Sequence, residues 1–246
     1  MSVVNALPFL VVCFLSFSTN AGKSILSSEY VQTLDHSAWN TLLKKYVDTA
    51  GNVDYKSLKN DKNKLDEYLG YLAGNVPSGS DEKEKLAYYI NLYNAATVKL
   101  ILDHYPVKSI KDINAPWDKK WVHLGEKLVS LGDIEHKILR RMNEPRIHFA
   151  INCASYSCPK LLNEAFTSSQ LELQLQKAAR DFVGDPSRNK IASDRLQLSN
   201  IFKWYIKDFT ENSALVVYID QLSDTAIAAD AKIDYLKYDW SLNEIR

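Results

Sequence analysis

Apolar residues recur at helical spacing along most of the chain, and this pattern predicts a mainly helical protein. The longest pattern runs from about Asp81 to His104, where apolar side chains fill two adjacent stripes, so we predict a buried helix there. A Ser80-Asp-Glu-Lys sequence at its start is typical of a helix cap. Shorter amphipathic patterns predict helices at Trp39–Val47, Leu65–Leu72, Asp133–Arg140, Leu171–Phe182, Ala214–Gln221 and Asp224–Asp230.

Short alternating segments predict a small amount of β-structure. Trp121–Leu124 and Lys127–Ser130 flank a turn at Gly125 and predict a β-hairpin. Lys190–Ser199 predicts a second hairpin or an irregular β-segment, and Ile233–Tyr235 predicts a short strand. We therefore expect an α+β fold that is mostly helical and has a small antiparallel sheet.

The first 21 residues carry no charged side chain and contain an apolar run, Leu7–Phe17, followed by Thr19–Ala21. This order is typical of a secretory signal peptide, so we expect a periplasmic or secreted protein. Leu10–Cys13 has a weaker similarity to a lipidation site, with Val12 where a small residue is expected. No later stretch approaches the roughly 18 uninterrupted apolar residues of a membrane span, and we predict none.

Residues 22–246 are enough for one sizeable domain, and they contain no internal repeat or low-complexity linker. Thirty basic and thirty acidic side chains leave no net charge and form no basic stripe, which argues against a nucleic-acid partner. Fourteen Tyr and five Trp fit either core packing or an aromatic-lined cleft for a small-molecule or peptide-type substrate. The oligomeric state does not follow from the sequence.

Reactive side chains are concentrated between Arg146 and Pro159, where His148 precedes the cysteines of the mature chain, Cys153 and Cys158. Apolar residues alternate with His148, and this alternation predicts a strand that ends at Asn152. The sequence therefore locates a candidate site better than it defines a reaction.

One interpretation is that Cys153 is a nucleophile, which requires a thiolate and a neighbouring base. On a strand, His148 and Cys153 would lie on opposite faces unless the loop folds back. His136, on the preceding predicted helix beside Glu135, is the more plausible imidazole, and Glu135 or Asp133 could orient a histidine as in a catalytic triad.

A second interpretation is a disulfide. In an exported protein, Cys153 and Cys158 can close a short loop, and such a bridge excludes thiol catalysis unless it is redox-active. A zinc site formed by the two cysteines with His136 and His148 has no recognised ligand spacing, and we predict neither a metal nor a cofactor.

Asn91 and Asn94 lie three residues apart on the longest predicted helix, in otherwise apolar surroundings. An unpaired buried amide costs about 1–3 kcal/mol, so each side chain needs a specific partner. That partner is either the backbone of a neighbouring loop or a substrate near Cys153. Ser155 is a candidate nucleophile or a loop hydroxyl, and the Gly-x-Ser-x-Gly motif of serine hydrolases is absent.

Several blocks of the sequence resemble the domain of unknown function 547 family. In chain order they are Val53–Tyr55, Tyr89–Ala95, Tyr105–Ile110, Leu131–Arg140, Pro145–Ala150, Asn152–Pro159, Phe202–Tyr205 and Tyr238–Asn243. The resemblance spans nearly the whole mature chain. The chain has Tyr89 where the family pattern has tryptophan, and it is similar to members that are exported bacterial proteins. It implies no particular reaction. The site positions that it implies are Asn91, Asn94, Glu135, His136, Arg140, His148, Cys153, Ser155 and Cys158.

Our first hypothesis is an exported hydrolase or acyl-transfer enzyme that acts on amide or ester bonds. Cys153 would be the nucleophile, His136 or His148 the base, and Glu135 the group that orients the base. The substrate contacts would come from Asn91, Asn94, Arg140 and Ser155. The alternative hypothesis is a non-enzymatic periplasmic binding module with a recognition loop stapled by Cys153 and Cys158.

Overall fold

The computed structural model describes residues 1–2, 33–79 and 81–245. The chain divides into two units, Met1–Val31 and Gln32–Arg246, and the description below concerns the second. Nearly all of the predicted signal peptide lies outside the described residues.

Helices account for most of the regular structure in the described part. The α-helices are α1 Ser37–Tyr46, α2 Tyr55–Leu58, α3 Lys62–Gly74, α4 Glu82–His104, α5 Ile147–Ala150, α6 Leu171–Val183, α7 Asn200–Trp204, α8 Ile206–Phe209 and α9 Leu215–Asp220. A π-helix spans Asp133–Ile138, and 3₁₀ turns span Lys59–Asp61, Ile110–Asp112 and Leu139–Met142. The strands are β1 Val122–Leu124, β2 Lys127–Val129, β3 Lys190–Ile191, β4 Arg195–Leu198 and β5 Lys232–Tyr235.

Helix α4 is the central buried element, as its two apolar stripes predict. Asp81 caps it by accepting hydrogen bonds from the backbone N–H groups of Lys83 and Glu84, which helix formation leaves without an intrahelical partner. Helix α4 packs against α3 and against the π-helix, so it supports one wall of the site described below.

The strands form two small sheets. In the first, β1 and β2 make the predicted antiparallel hairpin, with Val122 opposite Val129. In the second, β3 pairs with β4 in antiparallel fashion, and β5 adds to β4 in parallel. The mostly helical α+β class is confirmed, but the second sheet is mixed rather than purely antiparallel, because β5 returns to β4 after a long helical connection.

Two apolar clusters make up the core. The larger surrounds α1, α3 and α4 and takes in Leu171 and Leu175 of α6. The smaller contains the C-terminal half of α6 and α7 to α9, with Phe149, Phe182, Phe202 and Phe209. Helix α5 contributes to both, because Ile147 and Ala150 belong to the first cluster and Phe149 to the second. The candidate site therefore lies where the two clusters meet.

The strand predicted before the cysteines is wrong: Ile147–Ala150 is a single helical turn, α5. The Ile151 N–H donates to the Ile147 carbonyl at 3.0 Å, closing the turn, and the chain becomes extended at Ile151. All four α5 side chains are buried, so alternation of residue type did not reflect alternation between a buried and an exposed face.

The helix predicted at Asp224–Asp230 is also wrong, since this segment consists of turns and irregular backbone. Its backbone N–H groups bond elsewhere: Ile227 donates to the Asp220 carboxylate at 2.8 Å and Ala228 to the Ser193 carbonyl at 2.7 Å. These hydrogen bonds to other segments take the place of the intrahelical hydrogen bonds that we predicted from the small residues.

Of the helices in the described ranges, none combines the length and the apolar character needed to cross a membrane.

Candidate functional site

A cavity of about 210 Å³ opens between the π-helix, α5 with the following cysteine loop, α7 and the C-terminal segment. Its walls are mainly aromatic, and its polar groups are two histidines, one carboxylate and the two cysteines. The aromatic lining residues are Tyr93, Trp117, Trp204, Tyr205, Tyr238 and Trp240, and the polar ones are Glu135, His136, His148, Cys153 and Cys158. Aromatic walls with a few convergent polar groups are typical of small-ligand sites.

The π-helix places two consecutive polar residues, Glu135 and His136, on the cavity. Single π-turns occur often at functional sites. The buried Glu135 carboxylate accepts hydrogen bonds from the Tyr93 hydroxyl at 3.2 Å and from the Tyr205 hydroxyl. Burial, reinforced by the nearby carboxylate, raises the pKa of Tyr93 and Tyr205, so both stay protonated as donors.

His136 lies near the Glu135 carboxylate but is not hydrogen-bonded to it. Its Nδ1 lies 3.8 Å from Glu135 Oε1, which is too long for a hydrogen bond, and its side chain is 50% exposed. Glu135 therefore does not fix the orientation of His136.

His148 has a firmly bound carboxylate partner, Asp208, which lies 60 residues downstream on α8. Its Nε2 is 2.8 Å from Asp208 Oδ2, and Arg140 binds both oxygens of the same carboxylate at 2.6 and 2.7 Å. The Tyr205 ring stacks on the imidazole with centroids 3.9 Å apart. The ring of His148 is therefore held on its edge and on its face.

In this pair, His148 favours its neutral form and Asp208 its ionised form. Burial lowers the pKa of His148 despite the nearby carboxylates, so the imidazole is neutral at pH 7. The Arg140 guanidinium, with His148, holds the pKa of Asp208 below its usual range. Because an ionised carboxylate only accepts hydrogen bonds, Nε2 carries the imidazole hydrogen and Nδ1 remains as the basic nitrogen.

Asp208 is a site residue that sequence reasoning missed. The available signal was its position as the one acidic side chain in the aromatic segment Ile201–Phe209. No local spacing relates it to His148, because the two approach each other only through packing of α8 on α5 in the smaller core.

The cysteine loop closes over four residues, and the structure places the Cys153 and Cys158 sulfurs at disulfide distance, with their Cα atoms 6.3 Å apart. Cys158 Sγ accepts hydrogen bonds from the Cys153 N–H at 3.0 Å and from the Tyr238 hydroxyl at 3.2 Å. Cys153 is partly exposed, whereas Cys158 is buried. The two sulfurs therefore differ in both accessibility and hydrogen bonding.

Polar side chains and the C-terminal segment fix the shape of this loop. Asn152 accepts from the Ala154 N–H at 2.8 Å and donates to the Pro159 carbonyl at 2.7 Å. These bonds hold Ala154 at a φ of 60°, a left-handed conformation that is uncommon for alanine. The Asn243 N–H donates to the Ala154 carbonyl at 3.2 Å. The loop is thus preorganised beside the cavity.

Asn91 and Asn94 lie outside the cavity lining and bind backbone instead. The Asn91 side chain bonds both the N–H and the carbonyl of Phe166, at 3.0 and 2.8 Å. Asn94 accepts from the Asn152 N–H at 2.8 Å and donates to the Ala150 carbonyl at 2.9 Å. These contacts match the backbone-holding alternative, and Asn94 reaches the segment that carries Cys153.

The other two candidate substrate contacts also have protein partners. Arg140 is paired with Asp208, and the buried Ser155 hydroxyl lies 2.8 Å from the Tyr238 hydroxyl and 3.0 Å from Cys153 Sγ. Neither lines the cavity. Within the described ranges, no group of three or more His, Cys, Asp or Glu side chains is arranged to hold a metal ion.

Replacing Asn94 with alanine is expected to lower the free energy of unfolding by about 2–6 kcal/mol, because two buried backbone groups lose their partners at about 1–3 kcal/mol each. Denaturant unfolding monitored by tryptophan fluorescence measures this loss. Asn91→Ala, which also frees two backbone groups, is the matched control: it should destabilise similarly without changing the reactivity of the cysteines. A loss below about 1 kcal/mol for Asn94→Ala would contradict the backbone-holding role.

One comparison with known proteins gives a match. Residues 77–183 match a family model described as "Protein of unknown function, DUF547". The match supports the resemblance stated above, and it covers α4, the π-helix and the cysteine loop. Asp208 and Tyr238 lie beyond the DUF547 match. No curated protein and no solved structure matches the chain.

Proposed function

We propose that the protein, with its cysteines reduced, is an enzyme that hydrolyses or transfers acyl groups from amide or ester substrates. The observation that carries this proposal is that Cys153 lines the same cavity as His148, an imidazole held by the Asp208 carboxylate at 2.8 Å. A thiol, a neutral imidazole and an orienting carboxylate are the components of thiol-based acyl transfer.

His148 suits the role of base better than His136. Its ring is fixed by Asp208 and Tyr205, whereas His136 is half exposed and lies beyond hydrogen-bond distance of Glu135. A fixed imidazole needs no reorganisation when it takes a proton. Because burial lowers the pKa of His148, the basic form is already populated at neutral pH.

The reaction follows from these roles. His148 Nδ1 takes the thiol proton of Cys153, and the thiolate attacks the carbonyl carbon of the substrate. The amine or alcohol leaves with the proton from His148, and a thioester remains on Cys153. Water or another nucleophile then takes the acyl group, while the charge of Asp208 stabilises the imidazolium that forms in each half-reaction.

The aromatic walls indicate how a substrate would be held. Trp240 packs against both Trp117 and Trp204, and it stacks on Trp204 at a centroid separation of 5.7 Å. Trp204 remains 47% exposed at the cavity rim. These rings offer apolar surface to a small-molecule or peptide-type substrate and keep water from the reacting groups.

Acyl-group mapping tests the proposal. We expect reduced protein treated with p-nitrophenyl acetate to gain one acetyl group on Cys153, detected by intact mass and by peptide mapping at acidic pH. Acetylation should fall to background when His148 is replaced with glutamine, because the thiolate then lacks its base. Acetylation confined to surface lysines, with Cys153 reduced and unmodified, would overturn the proposal.

The alternative is a non-enzymatic binding module, and the disulfide distance between Cys153 and Cys158 favours it. In that case the bridge is a permanent staple of the cavity wall, and ligand binding needs no reduction. The same mapping separates the two functions: a staple predicts that Cys153 is never acylated, while ligands still change the tryptophan fluorescence of the bridged protein.

Export to the periplasm or out of the cell is part of the proposal and rests on the uncharged apolar pattern of residues 1–21. An oxidising compartment favours the bridged state of Cys153 and Cys158. Fractionating cells that produce the full chain, followed by N-terminal sequencing of the protein outside the cytoplasm, tests this assignment.

A further inference from the structure

We propose that the Cys153–Cys158 bridge is a site of directional thiol–disulfide exchange: a low-molecular-weight thiol attacks Cys153, and Cys158 leaves. This proposal assigns a covalent partner class, small thiols, to the cavity. The exchange does not require acyl transfer, but its regulatory consequence, given below, rests on the proposed function.

The direction of attack follows from accessibility. Cys153 is partly exposed, whereas Cys158 is 4% exposed. A thiolate must approach the sulfur that it attacks, and the more accessible sulfur of a bridge is attacked faster. A small thiol entering the cavity therefore meets Cys153 as its target.

Hydrogen bonds to sulfur favour Cys158 as the leaving group, although Cys153 Sγ also has a hydroxyl contact, with Ser155 Oγ at 3.0 Å and the Tyr238 oxygen farther away at 3.5 Å. Cys158 Sγ accepts from the Cys153 N–H at 3.0 Å and from the Tyr238 hydroxyl at 3.2 Å. Donors that point at a sulfur stabilise the thiolate that forms there, and a more stable thiolate leaves faster. Both donors are already in place in the bridged protein, so no rearrangement precedes the departure of Cys158.

The Ser155 hydroxyl supports the hydrogen bond that Tyr238 donates to Cys158 Sγ. Ser155 Oγ lies 2.8 Å from the Tyr238 oxygen, so Ser155 can donate to Tyr238 while Tyr238 donates to Cys158 Sγ. Burial raises the pKa of Tyr238 to about 12, which keeps its hydrogen available at neutral pH. A chain of donors thus ends on the leaving sulfur.

The exchange balances in two steps. In the first, the thiolate of the small thiol forms a bond to Cys153 Sγ, the Cys153–Cys158 bond breaks, and its electron pair stays on Cys158 as thiolate. In the second, another small thiolate attacks the small-thiol sulfur of the mixed disulfide and releases Cys153 as thiolate. The protein pair gains two electrons, and two small thiols become one disulfide.

This chemistry would regulate the enzyme proposed above. The bridged form and the mixed disulfide both block Cys153, and only the reduced form exposes the nucleophile to an acyl substrate. A reducing thiol would therefore activate the protein, and an oxidised thiol would inactivate it by capping Cys153.

Glutathione is the probe for the test. Bridged protein is incubated with reduced glutathione, quenched with N-ethylmaleimide and mapped by mass spectrometry. We expect glutathione on Cys153 and maleimide on Cys158 in the single-exchange product. Tyr238→Phe should slow its formation about tenfold, because the leaving thiolate loses one donor. Tyr235→Phe changes an exposed tyrosine on β5 and should leave the rate unchanged.

Single-cysteine variants provide a second measurement. With oxidised glutathione, the Cys158→Ser protein should form its mixed disulfide at least about tenfold faster than the Cys153→Ser protein, since Cys153 is the more exposed of the two residues. Glutathione on Cys158, equal rates for the two variants, or no exchange at all would overturn the inference. If the glutathione tests fail in one of these ways and phosphine-reduced protein still acylates on Cys153, this inference is wrong while the proposed function stands.

Discussion

Replacing Cys153 with alanine in the reduced protein is expected to lower kcat/KM toward amide or ester substrates by at least about 10³-fold, because the proposed acyl intermediate forms on the Cys153 sulfur. Fold stability should change little, since Cys153 is partly exposed and its side chain leaves only a small space. Turnover of a fluorogenic ester panel, with circular dichroism as the folding check, measures both effects.

Cys158→Ala is the matched control for this result. It removes the bridge but keeps the nucleophile, so this variant should be active without any added reductant, whereas the bridged wild type should not. A bridged wild type that turns over substrate without reductant, with equal loss of turnover in both variants, would mean that the pair acts as a structural staple and would contradict nucleophilic catalysis by Cys153.

The elements that the sequence predicts correctly are those whose signal is local and repeated. Helix α4 has two buried stripes along its length, and the β1–β2 hairpin has alternation around Gly125. Both patterns extend over enough residues to outweigh single exceptions. Helix α5 has only four residues, all of them buried by two different clusters, so its apolar pattern contained no information about period.

In the candidate site, too, residues close together in the sequence could be predicted and distant ones could not. The clustering of Glu135, His136, His148 and Cys153 on one cavity follows the sequence expectation that the π-helix region and the cysteine loop meet. Asp208 and Tyr238 come from distant segments, and only tertiary packing brings them to His148 and to the sulfurs. Long-range partners of this kind have no spacing signal in a single sequence.

Asn91 and Asn94 show why residue type alone did not assign a role. A buried amide on an apolar helix must be paired, and this requirement holds equally for a substrate contact and for a backbone clamp. The structure gives each amide two backbone partners. Their contribution to the site is therefore indirect, through the position of the segment that precedes Cys153.

Replacing Asp208 with asparagine is expected to lower kcat by about 10² to 10⁴-fold in the reduced protein. An amide can donate to His148 Nε2, which moves the ring hydrogen to Nδ1, so that Nδ1 can no longer take the proton of Cys153. The imidazolium also loses the charge that stabilises it. The KM should change much less, because Asp208 does not line the cavity.

The same substitution is expected to destabilise the fold by about 1–3 kcal/mol at pH 7, because the charged hydrogen bonds to Arg140 and His148 are lost. The native pKa of Asp208 lies below its unfolded value of about 3.9, so the advantage of the wild type is complete above that pH. It should shrink as the pH falls through the native pKa. Denaturant unfolding at several pH values measures this difference.

His148 also makes the stability of the fold depend on pH. Burial lowers the pKa of His148 in the native state. Below about pH 6.5 the unfolded state therefore takes up a proton that the native state does not, and both the wild type and the Asp208→Asn variant lose stability there. The base should nevertheless stay neutral in the folded wild type, so kcat/KM should persist to more acidic pH than an ordinary histidine allows.

Asp234→Asn is the matched control, because it removes a carboxylate whose pair with Arg195 is largely exposed. Such a pair contributes roughly 0–1 kcal/mol, and turnover should be unchanged. If Asp208→Asn kept turnover within about threefold of wild type while Cys153→Ala abolished it, His148 would not be the base. The remaining imidazole on the cavity, His136 beside Glu135, would then have to take the proton from Cys153.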